Sequence, residues 1–131
     1  KFGDDRCASS LAGVSGYTER LERLLPLAAA SGELMVRHLL MPGHLSCCTR
    51  PVLDWLARHL PDAIVNLMTG YRPFQLASGR GAMARENQQE EINQAVAHLA
   101  GAGLGKPLLD GVPLEEALSR SSLSPGLPNS G

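Results

Sequence analysis

The chain has 131 residues, 44% of them apolar and 19% charged, with 12 basic and 13 acidic side chains and a formal net charge of −1. That length allows one domain with one modest core, and the balanced charge leaves no basic footprint for nucleic acid or an anionic membrane surface. No apolar run approaches the ~18 residues of a membrane span, and the three cysteines, an odd number with one adjacent pair, point to reduced thiols in a cytoplasmic protein rather than a disulfide framework.

The chain opens KFGDDR, which has no leader-like features, and begins at Lys1 rather than Met, so we expect further sequence upstream. KFGDD reads as the exit of a strand. Thr18 is the expected N-cap of a helix whose apolar face is Leu21, Leu24, Leu25 and Ala28. Pro26 should kink or split that helix, and Ser31-Gly32 should end it. Residues 33 to 41 read as a strand, followed by the loop Pro42-Gly43-His44. A second helix is predicted from near Thr49, with Pro51 in its first turn. Its apolar positions Val52, Leu56 and Leu60 recur at helical spacing, and Pro61 stops it.

AIVNLM, residues 63 to 68, is the next strand. A long loop then runs from about Tyr71 to Asn87. The third helix carries Ile92, Ala95, Val96 and Leu99 and ends at Gly101-Ala102-Gly103. LGKPLLDG suits a last short strand. VPLEEALSR suits a short helix, residues 112 to 120, with Pro113 at its first position. From Ser121 onward the Ser, Pro, Gly and Leu composition predicts a disordered tail.

Strands and helices alternating at this spacing mean an α/β fold built of parallel βαβ units, with residues 1 to 111 as the main domain. Two or three strands do not finish such a sheet, because a parallel sheet needs cover on both faces and partners for its edges. The chain is therefore expected to be a piece of a larger barrel or sheet, or to pair with another copy through open edges.

Ligands of parallel α/β folds bind beyond the carboxyl ends of the strands. That selects the loops after residues 41 and 68. Within the strand MVRHLLM, alternation places Met35, Arg37, Leu39 and Met41 on one face and Val36, His38 and Leu40 on the other. Arg37 and His38 thus point opposite ways, one inward and one toward the helix layer. Arg37 either clamps a carboxylate or phosphate or pairs with a neighbouring Asp or Glu. His38 is expected to be a core histidine bonded to a backbone carbonyl. His44, Cys47 and Cys48 invite a metal reading, but H-x-x-C-C is not a structural zinc spacing, and no metal ligand is assigned. SGRGAMAR, with Arg80 and Arg85, is read as a solvated lid rather than a phosphate cradle.

The line KFGDD, LAGVSGY, GELMVRHLLMPGH, VLDWLARHLPDAIVNLMTGYRP resembles the C-terminal part of radical SAM proteins of the pyruvate formate-lyase activating enzyme group. It covers roughly residues 1 to 76, with the helix at 88 to 101 in the expected place. The resemblance implies the C-terminal half of a partial (β/α)6 TIM-like barrel. It also implies S-adenosylmethionine and a [4Fe-4S] cluster as cofactors. Their reductive chemistry yields a 5′-deoxyadenosyl radical that takes hydrogen from a substrate, in the activating enzymes a glycine of a partner protein. By that likeness Arg37 reaches the SAM carboxylate, Lys1 faces the same cavity, and Tyr71 and Arg72 stand where the relatives place an aromatic-histidine pair beside SAM. The family's C-x-x-x-C-x-x-C motif is absent, as is its glycine-rich segment. The chain is thus expected to need a missing N-terminal half and to be inactive alone, with the 71 to 87 loop contacting a protein or peptide substrate. The alternatives are a non-catalytic half-barrel interaction module, or another (β/α) barrel enzyme binding an anion at Arg37.

Overall fold

The computed structural model describes residues 1–74 and 81–122. Its centre is a four-stranded sheet in the order β1 (Met35–Leu39), β2 (Ile64–Met68), β3 (Lys106–Leu109), β4 (Val112–Pro113). The first three strands are parallel, and β4 returns antiparallel to β3. The two parallel strands predicted around MVRHL and IVNLM are present, and their register sets Arg37 beside Asn66 and His38 beside Leu67.

The reversal into β4 uses Asp110, at φ 46°, and Gly111, at φ 83°. Asp110 tolerates the left-handed region because its carboxylate is held by the Thr69 N–H (2.8 Å) and the Thr69 hydroxyl (2.6 Å). This hairpin corrects the expectation for VPLEEALSR. Val112–Pro113 pairs as β4, and the helix α5 (Leu114–Ser122) starts one residue later. Pro113 is acceptable there because it lies on an edge strand. The helix also runs through Ser121, the first residue of the expected tail; positions 123–131 lie outside the described residues.

The start of the chain also differs from expectation. Lys1–Asp4 form no strand, and a short helix α1 (Asp5–Ala12) follows at once. Asp4 caps it by accepting the Cys7 N–H at 2.7 Å, and Gly13 ends it at φ 66°. The next helix, α2 (Tyr17–Ala30), has Gly16 as its N-cap instead of Thr18. Thr18 sits in the first turn, where its N–H and hydroxyl both donate to Asp5 Oδ1. Pro26 does not split α2, which is continuous. Glu22 and Pro26 both face solvent, so water can take the carbonyl bond that proline leaves open.

Helix α3 (Arg50–His59) and helix α4 (Gln89–Gly101) pack together on one face of the sheet. Leu53, Leu56, Ala95 and Leu99 meet Leu40, Val65 and Leu67 in the main core. Gln88 and Glu91 form a capping box at the start of α4. His98 Nε2 lies 2.7 Å from Asp54 Oδ1, joining α4 to α3.

The two sheet faces differ. Val36, His38, Leu40, Val65 and Leu67 turn toward the helices. Met35, Arg37 and Leu39, with Ile64, Asn66 and Met68 beside them, turn the other way. No described helix of the main core covers that second face: Met35 is 52% exposed and Arg37 is exposed. β1 is also an open edge. No described helix is long and apolar enough to cross a membrane.

Candidate functional site

The loops beyond the carboxyl ends of β1 and β2 meet at one rim. Asn87 joins them, its amide donating to Leu40 O and to Thr69 O, each at 2.9 Å. A second, smaller core lies at this rim, built from Phe2, Ala8, Met41, Cys48 and Met83.

Beyond β1 the chain turns through Gly43, at φ 77°, and enters a wide π-helical turn, Leu45–Thr49, that runs into α3. The carbonyl of His44 accepts both the Cys48 and the Thr49 N–H, each at 3.1 Å. Positions 44, 47 and 48 stand at i, i+3 and i+4, which lie on one face of a helical turn. Their side chains therefore converge. Helix α1 delivers Cys7 to the same point. Cys7 Sγ is 3.5 Å from Cys47 Sγ and 3.5 Å from His44 Nδ1. Cys47 Sγ and Cys48 Sγ lie 3.1 Å and 3.8 Å from that same nitrogen. All four ligand atoms fall within 4.8 Å of one another.

Burial pushes the Cys7 thiol well above its usual range, helped by the neighbouring thiols, and burial likewise raises Cys48. The backbone N–H of Gly3 acts the other way on the Cys48 thiol, lowering it. Gly3 is there because nothing larger fits: an added Cβ would lie 2.5 Å from Cys47 O and 2.6 Å from Cys48 Cα.

This cluster was not assembled by the sequence reading, which weighed His44, Cys47 and Cys48 without Cys7. Two signals pointed to it. One is the one-face spacing of H-x-x-C-C on a helical turn. The other is that Cys7 follows the segment leading into the same rim.

The residues singled out for ligand binding fall into two adjoining clefts. Lys1 and Arg37 line one of about 660 Å³ beside β1. Lys1, Tyr71 and Arg72 line another of about 580 Å³ over the rim, with Leu39 and Met41 as its floor. Lys1 is common to both, while Arg37 does not line the cleft of Tyr71 and Arg72. The Arg37 guanidinium makes no ion pair among the described residues, and its contact is to Met68 Sδ at 3.6 Å. The Tyr71 hydroxyl donates to Met83 O at 2.9 Å.

His38 turns to the helix layer, 1% exposed. Its partner is the hydroxyl of Thr49, 3.0 Å from Nε2, rather than a backbone carbonyl. Burial pushes its pKa down to about 3. The described end of SGRGAMAR is not a free lid. Gly81–Ala84 is a single 3₁₀ turn that sends Met83 into the second core. Arg85 pairs with Glu91 at 2.6 Å, while Arg80 lies outside the described residues.

Among known proteins, an uncharacterized protein of Methanocaldococcus jannaschii is 36% identical over 96 residues, which is 73% of this chain. The chain spans 28% of that relative's length. No protein-family model and no solved structure matches.

Proposed function

We propose that the chain is the C-terminal part of a radical SAM enzyme akin to the pyruvate formate-lyase activating enzymes, contributing the carboxylate side of the SAM pocket. The observation that carries this reading is the exposed Arg37 on the sheet face turned away from α3 and α4. A parallel sheet is stable when both faces are covered, and here the face away from the helices, open at Met35, presents Arg37 with no carboxylate partner among the described residues. In a (β/α) barrel that face is the interior. A planar guanidinium there suits a ligand carboxylate, which it grips with two parallel hydrogen bonds. Lys1 extends the positive charge along the same cleft. The relative in Methanocaldococcus jannaschii, of which this chain matches 28%, leaves room for the remaining strands in a longer protein.

The residues present fit one cofactor and not the other. Arg37 and Lys1 fit the carboxylate of SAM. Cys7, Cys47 and Cys48 do not fit a [4Fe-4S] cluster, which places each thiolate on a separate iron, because their sulfurs crowd around one point. When bound, SAM and an upstream cluster would supply the 5′-deoxyadenosyl radical. This chain would bind and orient SAM and, through the rim cleft of Tyr71 and Arg72, face the substrate.

The test is the gene on the 5′ side of the Lys1 codon and the activity of its whole product. The expected result is an upstream C-x-x-x-C-x-x-C and, after anaerobic reconstitution, release of 5′-deoxyadenosine from SAM on reduction. A gene without the three-cysteine motif, or a reconstituted protein that leaves SAM intact, overturns the reading. A second reading, a half-barrel that pairs through the open edge of β1, has the half-exposed Met35 on that edge in its favour. A stable monomer by sedimentation removes it.

A further inference from the structure

We propose that Cys7, His44, Cys47 and Cys48 bind one zinc ion as a closed, structural Cys3His centre that clips α1 to the turn beyond β1. Tetrahedral zinc with sulfur at ~2.3 Å and nitrogen at ~2.05 Å puts ligand sulfurs ~3.8 Å apart and sulfur and nitrogen ~3.6 Å apart. The Cys7–Cys47 sulfurs are 3.5 Å apart, and the Cys7, Cys47 and Cys48 sulfurs lie 3.5, 3.1 and 3.8 Å from His44 Nδ1. Four of the six edges of the ligand tetrahedron thus lie within about half an ångström of those about one zinc ion, and all four ligand atoms fall within 4.8 Å of one another.

Ligand chemistry selects the metal. Three soft thiolates and one imidazole in tetrahedral array suit zinc, and disfavour calcium or magnesium, which take oxygen. Four protein ligands leave no position for water, so the centre is structural and not catalytic. A disulfide is a poor account of the cluster, since bonded sulfurs sit ~2.05 Å apart, whereas all three cysteines are free and the Cys7 and Cys47 sulfurs are 3.5 Å apart. The surroundings are those of a metal centre as well. Gly3 packs so closely on the turn that an added Cβ would lie 2.5 Å from Cys47 O and 2.6 Å from Cys48 Cα. The π-helical turn is a local departure of the sort found at functional sites.

The consequence is mechanical. Without the ion, α1 is held mainly through its contacts with α2 and a small cluster around Phe2. With it, α1 is bound to the π-helical turn that enters α3. The site stands whether or not the radical SAM reading holds, because its ligands all belong to this chain.

The test is to purify the 131-residue chain without a chelating tag and measure metals by mass spectrometry. One zinc per chain is expected. Cobalt(II) added to apoprotein should give the visible bands and sulfur charge-transfer absorption of a tetrahedral thiolate complex. Cys7→Ser should lower zinc retention against a chelator roughly tenfold or more. His44→Cys, which keeps four ligands, should retain zinc and so separates lost ligation from lost folding. Overturning results are no zinc with no cobalt spectrum in folded protein, an iron–sulfur spectrum instead, or equal retention of zinc against the chelator in wild type and Cys7→Ser.

Discussion

His38 Nε2 lies 3.0 Å from Thr49 Oγ1, wholly inside the helix-facing core, and His38 Nδ1 has no partner among the described residues. One face of β1 therefore carries a neutral imidazole whose hydrogen bond to Thr49, its only one among the described residues, ties the strand to the residue just before α3. Its folded pKa, lowered to about 3 by burial, lies below the ordinary 6.5. The unfolded chain thus takes up the proton first. The contribution to stability is complete above pH 6.5 and is lost as pH falls toward 3, at up to about 1.4 kcal/mol per pH unit. Urea unfolding between pH 7 and 4 should show this slope, and His38→Gln should remove it. Thr49→Val should cost about 1–3 kcal/mol at neutral pH by leaving Nε2 unpaired. A pH-independent midpoint in wild type would refute the assignment.

Gly3→Ala should be among the most damaging small substitutions in the chain. Its Cβ would enter the backbone of Cys47 and Cys48, which cannot rotate away as a flexible side chain can. A cost of about 1–3 kcal/mol is expected, as for overpacking elsewhere. Gly101→Ala is the control. It sits in the last turn of α4 with nothing within 4 Å of the added carbon, and should be neutral or stabilising. Equal melting temperatures for the two variants would contradict this account.

Glu91 gathers three donors: Arg85 at 2.6 Å, the Gln88 N–H at 3.0 Å and the Gly43 N–H at 2.7 Å. The Arg85 guanidinium, aided by those two amides, lowers its pKa from 4.5 to about 2. A depressed carboxylate stabilises the fold above pH 4.5, and this contribution is lost as pH falls toward 2. Glu91→Gln should lower stability at neutral pH by about 0.5–2 kcal/mol, the range of a capping contact. It should also flatten the acid limb of the stability curve over that window. An unchanged acid limb would show that Glu91 is not its source.

Arg37→Ala should leave the melting temperature unchanged, because an exposed side chain with a single thioether contact contributes within about 0.5 kcal/mol. In the whole gene product the same substitution should raise the SAM concentration needed for half-maximal turnover. A large loss of stability would mean that Arg37 is a structural residue.

Much of the fold was legible because it rests on local pattern. MVRHL and IVNLM are largely apolar segments of strand length, and the apolar positions of α3 and α4 recur at helical spacing. The alternation that separates Arg37 from His38 needs only the pleat of a strand. What escaped depends on tertiary context. Helix α1 is polar and short, and it holds through the Asp4 cap and through Asp5 binding Thr18. That same contact takes Thr18 away from a capping role. Pro26 is tolerated because α2 is a surface helix. The Cys3His cluster escaped because one ligand is distant in sequence, and because two adjacent cysteines seem to diverge until the turn carrying them is known to be helical.

All four converging side chains lie between positions 7 and 48, ahead of β2, α4 and the β3–β4 hairpin. A ribosome therefore delivers the complete ligand set before it has made two of the three parallel strands. Metal captured by the nascent chain would close a loop from α1 to α3 early, so that the later strands add onto a segment already fixed at one end. Starvation for zinc during synthesis should then lower the yield of folded protein more than removal of the metal afterwards.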